Sequence, residues 1–414
     1  GLVITNPPYG KRLGDEASLT KLYALLGKKL RTHYEGWCAG VLTGNPSLGK
    51  AMGVRASKQY ALFNGTIASK LLVFELSQQN FIRQNLAGVI PAPRLSPGEQ
   101  MFVNRLAKNV RHLDKWRRRN NISCYRVYDA DIPEYAVAVD IYNEWVHLGE
   151  YKAPFSIDPA VAEQHLREVV SAIPRVLGTD PEKIVVKQRK RQRAAIQYEK
   201  QNQLSRQLEV REANARLLVN LHDYLDTGLC LDHRRLRASL QEMAKGKRFL
   251  NLFCYTASAT VHAALGGARE TLSVDLSRTY LEWAHSNFAL NALDGNRHIL
   301  IKADCREWIA GHQGWFDIIL LDPPTFSNSK GMRGTFEVER DHPSLIGTTM
   351  GRLSDDGVLI FSSNRRKFEL DPSIVERYQV KDMTGWSLDR DYSRARLPHR
   401  CWFISHRKPK GNGE

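Results

Sequence analysis

The chain of 414 residues is 42% hydrophobic and 25% charged, which is ordinary for globular protein and long enough for two or three domains. It has no run of about 18 apolar residues and no C-x-x-C pair among its six cysteines, so the sequence excludes a membrane-spanning helix and argues against a zinc site or a disulfide framework. The formal net charge of +16 favours a polyanionic partner such as nucleic acid. We therefore expect a cytoplasmic protein that holds no metal and contacts no membrane.

Residues 1–84 have the pattern of the second half of an α/β sheet domain. The predicted elements are a short apolar strand that runs into Asn6, a helix over 17–31, a strand over 37–43, and a hairpin with strands over 58–63 and 69–76 around Asn64-Gly65. We expect the first strand to form an exposed, apolar edge of this partial sheet.

The first strand exits into a turn of specific chemistry, which consists of Asn6, Pro7, Pro8 and Tyr9. Methylation of an exocyclic amine requires the nitrogen lone pair to be released from conjugation with the ring. The side-chain carbonyl of Asn6 and the backbone carbonyl that follows it can each accept one amine hydrogen, and Tyr9 can stack on the base. These four residues are candidate catalytic residues, and a proline-rich exit from a strand is the alternative interpretation.

Residues 1–76 resemble the later half of the guanine-N2 methyltransferase domain in the bifunctional bacterial 23S rRNA methyltransferases (RlmKL family). That family places an RNA-binding THUMP domain and the cofactor-binding strands ahead of the Asn-Pro-Pro-Tyr turn, and neither precedes the turn in this sequence. The resemblance therefore implies that residues 1–84 are a truncated guanine-N2 domain, which we expect to be catalytically inactive.

Residues 85–103 are rich in proline and glycine and are predicted to be a linker. Residues 104–209 are predicted to form a small, basic α+β domain that binds RNA. Its predicted elements are an amphipathic helix over 104–120, an antiparallel meander with strands over 124–127, 135–141 and 145–151, and a helix over 159–177.

Two basic segments of this domain are candidates for contacts with RNA phosphates. They comprise Lys115, Arg117, Arg118 and Arg119 in the first helix, and Lys187, Arg189, Lys190, Arg191 and Arg193 in a later charge run. A charge run is also the usual composition of a solvated strand end, so both interpretations stay open for the second segment. Residues 194–207 are polar enough to form a mobile loop.

Residues 210–414 contain the pattern of a nucleotide-type cofactor site. An apolar strand from Phe249 runs into a turn of small and hydroxyl residues, a helix over 259–265, and a second strand that ends at Asp275. Such a turn brings backbone N–H groups to a ligand, and the acid accepts hydrogen bonds from ribose hydroxyls. Because the dinucleotide motif G-x-G-x-x-G is absent, we expect an adenosine-bearing ligand without phosphates, most commonly S-adenosylmethionine. An ordinary buried strand–helix–strand unit is the alternative.

The residues expected to hold the cofactor lie at the ends of successive predicted strands. Asp275 is expected to bind both ribose hydroxyls, and Asp304, which follows a strand over 298–301, is expected to reach the adenine amino group. The candidate set is Phe253, Tyr255, Thr256, Ala257, Ser258, Asp275, Leu276, Asp304, Cys305 and Asp322.

The fourth strand of this domain, over 316–321, is an unbroken apolar run, as a buried parallel strand should be. It exits into a turn made of Asp322, Pro323, Pro324, Thr325 and Phe326. All of these except Thr325 are candidate catalytic residues. A ring nitrogen such as guanine N7 carries no proton, so its methylation requires the base to be held in line with the sulfonium methyl and little acid–base chemistry.

Residues 101–409 resemble the RlmK half of the same bifunctional family along nearly their whole length, including the Asp-Pro-Pro-Thr-Phe-Ser-Asn-Ser stretch that ends at Ser329. The resemblance implies S-adenosylmethionine-dependent methylation of guanine N7 in 23S rRNA, with naked rRNA or a large-subunit assembly intermediate as the partner. The stretch from Asp226 to Arg234 resembles the D-x-G-x-x-L-D-x-R segment of the RlmK and RlmI group, which implies that Asp232 and Arg234 lie beside the cofactor pocket.

The expected fold is α/β: a class I S-adenosylmethionine-dependent methyltransferase (Rossmann-like) sheet over 210–414, preceded by a small α+β RNA-binding domain and a partial second methyltransferase sheet. Ala257 departs from the Tyr-Thr-Gly-Ser turn that is usual in the family. Its Cβ is expected to crowd the methionine moiety or to require a φ below 0.

Two other functions are compatible with the sequence. One is a cytosine-C5 rRNA methyltransferase of the RlmI type, although methylation at C5 usually needs a cysteine nucleophile, and Cys254 and Cys305 are not well placed for that attack. The other is an RNA-binding or RNA-remodelling module with a vestigial cofactor pocket, an interpretation that Ala257 favours slightly.

Overall fold

The computed structural model describes residues 1–9, 16–65, 67–82, 95–151, 158–188, 207–224, 226–329, 331–332, 334–365, 367–393 and 397–408. The chain divides into two compact units, Gly1–Ser96 and Pro97–Glu414. Within the described ranges, no helix combines the length and the apolar character needed to cross a membrane.

The first unit is a four-stranded sheet with two helices. Its elements are β1 (Leu2–Thr5), α1 (Glu16–His33), β2 (Cys38–Thr43), α2 (Pro46–Ala51), β3 (Lys58–Asn64) and β4 (Ile67–Glu75). The strand order is β1-β2-β4-β3, with β1 parallel to β2 and the other neighbours antiparallel. Tyr23, Val41 and Phe74 belong to its core. β1 lies at an edge and leaves 62% of Leu2 and 72% of Ile4 exposed, which confirms the predicted apolar edge strand.

The second unit begins with a helix-and-sheet region, here called the central region. Its elements are α3 (Pro97–Arg119), β5 (Cys124–Asp129), β6 (Val137–Tyr142), β7 (Trp145–Glu150), α4 (Pro159–Leu177) and β8 (Ile184–Gln188). β5, β6 and β7 form the predicted antiparallel meander, and β8 adds a parallel strand beside β7. Phe102 and Leu106 of α3 share one core with Val169 of α4 and with the sheet.

α3 begins at Pro97, so the predicted linker over 85–103 is corrected at its end. Proline suits the first turn of a helix, where its fixed φ is helical and its missing N–H would have no partner. Glu99 places a negative charge near the positive end of the helix dipole, and Phe102 is fully buried. Pro97 and Gly98, which suggest a linker in the sequence, are therefore the start of α3. Residues 83–94 lie outside the described ranges.

The rest of the second unit is a hairpin followed by a seven-stranded sheet with helices. The hairpin strands are β9 (Leu208–Glu212) and β10 (Ala215–Val219). The later elements are α5 (Arg234–Met243), β11 (Arg248–Leu252), α6 (Ser258–Leu265), β12 (Glu270–Asp275), α7 (Arg278–Leu290), β13 (His298–Lys302), α8 (Cys305–Gly311), β14 (Phe316–Leu321), β15 (Phe326–Ser327), β16 (Phe336–Glu337), α9 (Val338–Met350), β17 (Leu353–Ser363), α10 (Pro372–Arg377), β18 (Gln379–Asp382), α11 (Thr384–Ser387) and β19 (Arg400–Ser405).

The order of the large sheet is β13-β12-β11-β14-β17-β19-β18, in which β19 is antiparallel to both of its neighbours. The apolar strand β14 pairs with β11 on one side and β17 on the other, and Ile319 and Leu321 are fully buried. Because β11 to β14 and β17 are parallel, their carboxyl ends meet at one edge of the sheet. This edge is where the predicted site residues converge.

Two predicted elements near the C-terminus end earlier than expected. The sequence pattern predicts a helix over 338–353, but α9 stops at Met350, because Gly351 follows it, and Leu353 already begins β17. The pattern also predicts a strand over 378–387, but β18 ends at Asp382, whose carboxylate accepts a hydrogen bond from the backbone N–H of Thr384 at 2.8 Å. That bond turns the chain into α11, which the sequence pattern did not indicate.

Candidate cofactor and catalytic site

The turn between β11 and α6, here called the cofactor turn, has an unusual backbone. Phe253, Tyr255 and Ala257 have φ values of +57°, +53° and +54°, so every second residue is left-handed without being a glycine. This conformation brings Cβ close to a carbonyl oxygen and costs roughly 1–2 kcal/mol per residue. The expectation that Ala257 requires a φ below 0 is therefore wrong, and the surroundings of the turn must stabilise it.

Side chains from the end of β12 and the start of α8 hold the cofactor turn. The carboxylate of Asp275 accepts hydrogen bonds from the backbone N–H of Tyr255 at 2.9 Å and of Ser277 at 2.8 Å. The buried thiol of Cys305 accepts from the backbone N–H of Phe253 at 3.2 Å and donates to a backbone oxygen of β12 at 3.3 Å. Two predicted cofactor residues, Asp275 and Cys305, therefore shape the turn itself.

Gly228 fixes the turn from another side. The hydroxyl of Tyr255 accepts a hydrogen bond from the Gly228 N–H at 2.8 Å, and the hydroxyl of Thr256 donates to the Gly228 carbonyl at 2.6 Å. Gly228 has a φ of +91° and lies against the indole of Trp283, with which any added Cβ would collide. Only glycine fits here, so the segment that begins at Asp226 clamps the cofactor turn.

Burial raises the pKa of Asp275 to about 6, although backbone N–H groups that bond to the carboxylate lower it. The Asp275 carboxylate sits at the carboxyl end of β12, as expected for a group that accepts ribose hydroxyls. Leu276 follows it directly, and Ser258 begins α6. The turn residues, Asp275, Leu276 and Ser258 thus fit an adenosine-bearing cofactor without phosphates, because a fixed carboxylate lies next to a turn that lacks the glycines of a dinucleotide motif.

Asp304 lies at the end of the neighbouring strand and starts α8. Its carboxylate accepts from the backbone N–H of Arg306 at 2.9 Å and pairs with the guanidinium of the same residue at 2.8 Å. Burial alone would raise the pKa of Asp304, but the hydrogen bonds from Arg306 outweigh burial and lower it. Asp304 is thus an ionised helix cap near Asp275, and its contact with an adenine amino group stays a prediction.

The turn over 322–326, here called the catalytic turn, follows β14 at the same edge of the sheet. The Asp322 carboxylate is about one-third exposed, and its Oδ2 lies 3.6 Å from Nδ1 of His233. Pro323 is buried and Pro324 half-buried, whereas 46% of Phe326 is exposed. A partly exposed carboxylate in the same turn as an exposed aromatic ring can receive a flat ligand that carries hydrogen-bond donors, such as a nucleobase.

His233 belongs to a partly buried polar group of which the sequence indicates only Asp232. Nδ1 of His399 is 2.8 Å from Oδ2 of Asp232, and Nε2 of His399 is 2.8 Å from the hydroxyl of Ser387. The His233 and His399 rings meet edge to face at 4.4 Å, and Nε2 of His233 is 3.2 Å from the hydroxyl of Ser362. Through His233, the group therefore contacts and supports the Asp322 carboxylate.

Protonation of this group is set by its burial and its charges. Burial by itself raises the pKa of Asp232, but His233 and His399 outweigh burial and hold it below its ordinary value. Burial lowers the pKa of His233. Ligand atoms of Asp232, His233 and His399 lie within 4.8 Å of one another, but hydrogen bonds already engage both ring nitrogens of His399 and Nε2 of His233. These hydrogen bonds hold the three side chains in place next to the catalytic turn.

Arg234 is not brought to the cofactor turn. Its guanidinium donates to Asp391 at 3.0 Å, to Asp389 at 3.2 Å and to the backbone oxygen of Cys124 at 2.7 Å. It also lies over the ring of Trp116, 5.5 Å from the centroid. These described contacts place Arg234 at the junction between the large sheet and the central region, whereas Asp232, two residues before it, lies behind the catalytic turn.

The RNA candidates fall into three groups. Lys115, Arg118 and Arg119 are exposed at the end of α3, and Arg117 beside them is half-buried next to Asp114. Lys187 is not available at the surface, because it is 8% exposed and its amino group donates to the backbone oxygen of His222. Arg189, Lys190, Arg191 and Arg193 lie outside the described residues, as does the loop predicted over 194–207 except for its last residue.

In the first unit, the predicted amine-directed turn directly follows β1. Asn6 and Pro8 are exposed, and Pro7 and Tyr9 are half-buried. The ring of Tyr9 lies against Gly44 at the end of β2, where any Cβ would meet it. Asn6 and Tyr9 are therefore near a strand end of their own sheet, in the arrangement that the sequence pattern predicts.

Comparisons with known proteins agree with this geometry. Residues 148–332 match the S-adenosylmethionine-dependent methyltransferase family model, and residues 1–72 match the RMKL-like methyltransferase domain model. Among solved structures, the methyltransferase SMU.776 complexed with SAH covers 97% of this chain and 99% of its own, with a TM-score of 0.61 and 20% identity. A SAM-dependent methyltransferase from Streptococcus mutans has a TM-score of 0.60 and 19% identity over the same shares. These likenesses confirm the class I methyltransferase fold.

Curated relatives are far more similar in sequence. The ribosomal RNA large subunit methyltransferase K/L of Pseudomonas aeruginosa is 55% identical over 98% of this chain, and the one of Pseudomonas putida (strain GB-1) is 52% identical over 98%. The chain spans 57% and 58% of the length of these two relatives. With a match to the S-adenosylmethionine-dependent methyltransferase model and an RMKL-like segment, the chain is similar along nearly its whole length to ribosomal RNA large subunit methyltransferases K/L.

Proposed function

We propose that residues 97–414 transfer a methyl group from S-adenosylmethionine to N7 of a guanine in 23S rRNA. The relatives named above are large-subunit rRNA methyltransferases. The observation that supports the proposal most is the position of Asp322 and Phe326, which follow β14 directly beside the cofactor turn that follows β11. Amine-directed chemistry at Asn6 to Tyr9 stays a prediction.

The cofactor, when bound, supplies an electrophilic methyl group on a positively charged sulfur. The protein's part is to hold it: Asp275 accepts the ribose hydroxyls, and Asp304 contacts the adenine edge. The backbone of the cofactor turn, fixed by Asp275, Cys305 and Gly228, encloses the ligand from the side of α6.

At the substrate, the catalytic turn orients the base and balances charge. Guanine N7 has an in-plane lone pair and no proton to remove, so the turn needs no general base for this step. The purine gains positive charge as N7 forms a bond to the methyl carbon and the bond between that carbon and the sulfonium sulfur breaks, with its electron pair left on sulfur. The Asp322 carboxylate stabilises that charge electrostatically, and the exposed face of Phe326 stabilises it through the ring quadrupole.

Methylation at cytosine C5 is disfavoured by the state of the cysteines. Cys254 and Cys305 are buried, and burial raises the pKa of both thiols well above the ordinary value. Cys230 is exposed, yet desolvation and the nearby carboxylates of Asp232 and Asp322 raise the pKa of its thiol. A nucleophilic thiolate is therefore disfavoured at each position near the site.

Nucleoside mass spectrometry tests the proposal directly. The chain is incubated with S-adenosylmethionine and unmodified 23S rRNA, and the digested RNA should contain 7-methylguanosine. A Cys230→Ser variant should give the same product at a similar rate. Appearance of 5-methylcytidine, lost in Cys230→Ser, would replace guanine N7 with the cytosine reaction.

We expect the affinity for S-adenosylmethionine to fall at acidic pH. The ribose hydroxyls donate to the ionised carboxylate of Asp275, whose pKa in the free protein is about 6. Protonation therefore competes with binding, and affinity should fall by up to about tenfold per pH unit below this pKa and level off above it. Calorimetric titration across the range measures the effect. Asp275→Asn should bind more weakly and without this pH dependence, and a flat profile in the unmodified chain would remove the carboxylate from the ribose site.

We also expect RNA affinity to fall steeply with salt. Replacing Arg117, Arg118 and Arg119 by Gln removes up to three phosphate contacts and should flatten the slope of log K against log salt by about 2 to 3 units. Filter binding with an rRNA fragment over a range of salt concentrations measures the slope. Arg167→Gln on α4, an exposed arginine paired with Glu163, is the matched control and should leave the slope unchanged.

A further inference from the structure

The second unit contains a cavity of about 340 Å³ that shares none of its described lining residues with the cofactor turn or the catalytic turn. Its size is within the range of about 300–1,000 Å³ that is typical of small-molecule sites. It lies between the end of α3, the β9–β10 hairpin and α5. Its lining includes Trp116, Asn120, Arg211, Arg234, Arg235 and Ala238.

One wall of this cavity is flat and held in place. Arg234 is buried and its guanidinium is fixed by Asp391, Asp389 and the backbone of β5. It lies 5.5 Å over the indole of half-buried Trp116. Planar guanidinium and indole groups are the surfaces on which unstacked RNA bases are usually held.

The accessible charge at the cavity is positive. The side chain of Arg211 is 74% exposed, and its closest acidic partner, Glu209, is 4.0 Å away. Arg235 is also exposed. The acidic residues of the lining, Asp389 and Glu212, are each held by a buried arginine, so they do not cancel this charge. A ligand with a phosphate next to an aromatic ring would therefore be attracted to it.

Polar groups for a base edge are also present. The amide nitrogen of Asn120 donates to the backbone oxygen of Trp116 at 2.8 Å, which orients the side chain and leaves its oxygen as an acceptor. Asn121 follows with a left-handed φ of +51° and also lines the cavity. An amide oxygen at the rim matches the amino group of a nucleobase.

We propose that this cavity binds one unpaired nucleotide of the RNA substrate, with its base against Trp116 and Arg234 and its phosphate toward Arg211 and Arg235. The inference rests on the proposed function and extends it. The cavity gives the RNA strand a second contact with the protein. This contact restrains the RNA while a different nucleotide enters the catalytic turn. Arg117, Arg118 and Arg119, in the last turn of α3, are then available to contact neighbouring phosphates of the same RNA strand.

Filling the cavity tests the proposal without removing a charge. Ala238 is exposed on α5 and lines the cavity, so Ala238→Phe should occupy the space of the base. The probe is a fluorescein-labelled single-stranded RNA of about 12 nucleotides, and anisotropy should show a loss of affinity of about five- to 100-fold. Ala289→Phe, at an exposed position of α7, is the matched control and should bind as the unmodified chain does.

A second pair of measurements locates the contact. The probe is made with 4-thiouridine, irradiated, and the crosslinked peptide is identified by mass spectrometry; we expect the peptide that contains Trp116, and its loss in Ala238→Phe. Should that variant misfold, Arg211→Gln with Arg235→Gln must lower affinity and flatten the salt slope by about 1 to 2 units.

The outcomes separate this inference from the proposed function. Unchanged RNA affinity in both variants, together with crosslinks only outside α3 and the β9–β10 hairpin, overturns the nucleotide cavity even if 7-methylguanosine is still formed. Failure of the unmodified chain to methylate guanine, with the crosslink to Trp116 retained, overturns the reaction and leaves the cavity as an RNA contact.

Discussion

Replacing Asp322 by Ala should lower the rate of methyl transfer about 100- to 1,000-fold, which is typical for the loss of one preorganised electrostatic group. The carboxylate is one-third exposed at the catalytic turn and is held 3.6 Å from His233. Its charge offsets the positive charge that the purine gains during transfer. Single-turnover rates with rRNA, measured at saturating S-adenosylmethionine, separate this effect from any loss of cofactor affinity.

Two further variants show which property of Asp322 is used. Asp322→Asn keeps the shape and hydrogen-bond acceptor but removes the charge, so it should be nearly as slow as Asp322→Ala. His233→Gln removes the support behind the carboxylate and should give a smaller loss of rate. A rate for Asp322→Ala within about threefold of the unmodified chain would take Asp322 out of the catalytic turn's chemistry.

The second large effect is expected in stability. Arg237 is 2% exposed and forms a bidentate pair with Glu212, with distances of 2.6 Å and 2.7 Å. Arg237→Ala leaves a buried carboxylate without its guanidinium partner and should lower the free energy of unfolding of the second unit by about 3–5 kcal/mol. Urea unfolding followed by tryptophan fluorescence measures the change. The exposed pair of Arg278 and Glu282 on α7 is the control, because Arg278→Ala should cost less than about 1 kcal/mol.

The same pair gives a pH dependence with a definite sign. Burial alone raises the pKa of Glu212, but Arg237 and His262 outweigh burial and lower it below the ordinary value. Its contribution to stability is therefore present above the ordinary pKa of about 4.3 and is lost as the pH falls below that value. Adding Glu212→Gln to Arg237→Ala should restore part of the lost stability. A cost below about 1 kcal/mol for Arg237→Ala alone would show that water reaches the Glu212 carboxylate.

Local signals in the sequence are sufficient for several helices. α4 has the predicted bounds, and α7 has the bounds 278–290 that the sequence pattern predicts, because capping residues mark their ends. Asp158 accepts a hydrogen bond from the N–H of Ala160 at 2.7 Å, Gly178 ends α4 with a φ of +67°, and Ser277 caps α7. Asp275 and Asp322 could be predicted too, because the carboxyl ends of parallel strands meet at one edge of a sheet.

Long-range contacts account for what the sequence did not show. Asp232 and His399 are 167 residues apart, and no periodic pattern links a residue before α5 to one before β19. Lys187 lies in a charge run, yet the alternation of β8 turns its side chain inward to the backbone of His222. The position of Arg234 is a similar case, because its carboxylate partners come from a segment more than 150 residues later in the chain, at Asp391.

The left-handed residues of the cofactor turn bear on how this protein meets its ligand. Phe253, Tyr255 and Ala257 are already in a conformation that an isolated chain seldom visits, and the folded protein enforces it. A loop that is preorganised in this way loses little conformational entropy when a ligand arrives. A glycine at 257 would relieve the torsional strain and also widen the range of shapes the loop can sample. The methyl group of Ala257, which the sequence suggests is an obstacle to the cofactor, thus restricts the shapes that the turn can adopt.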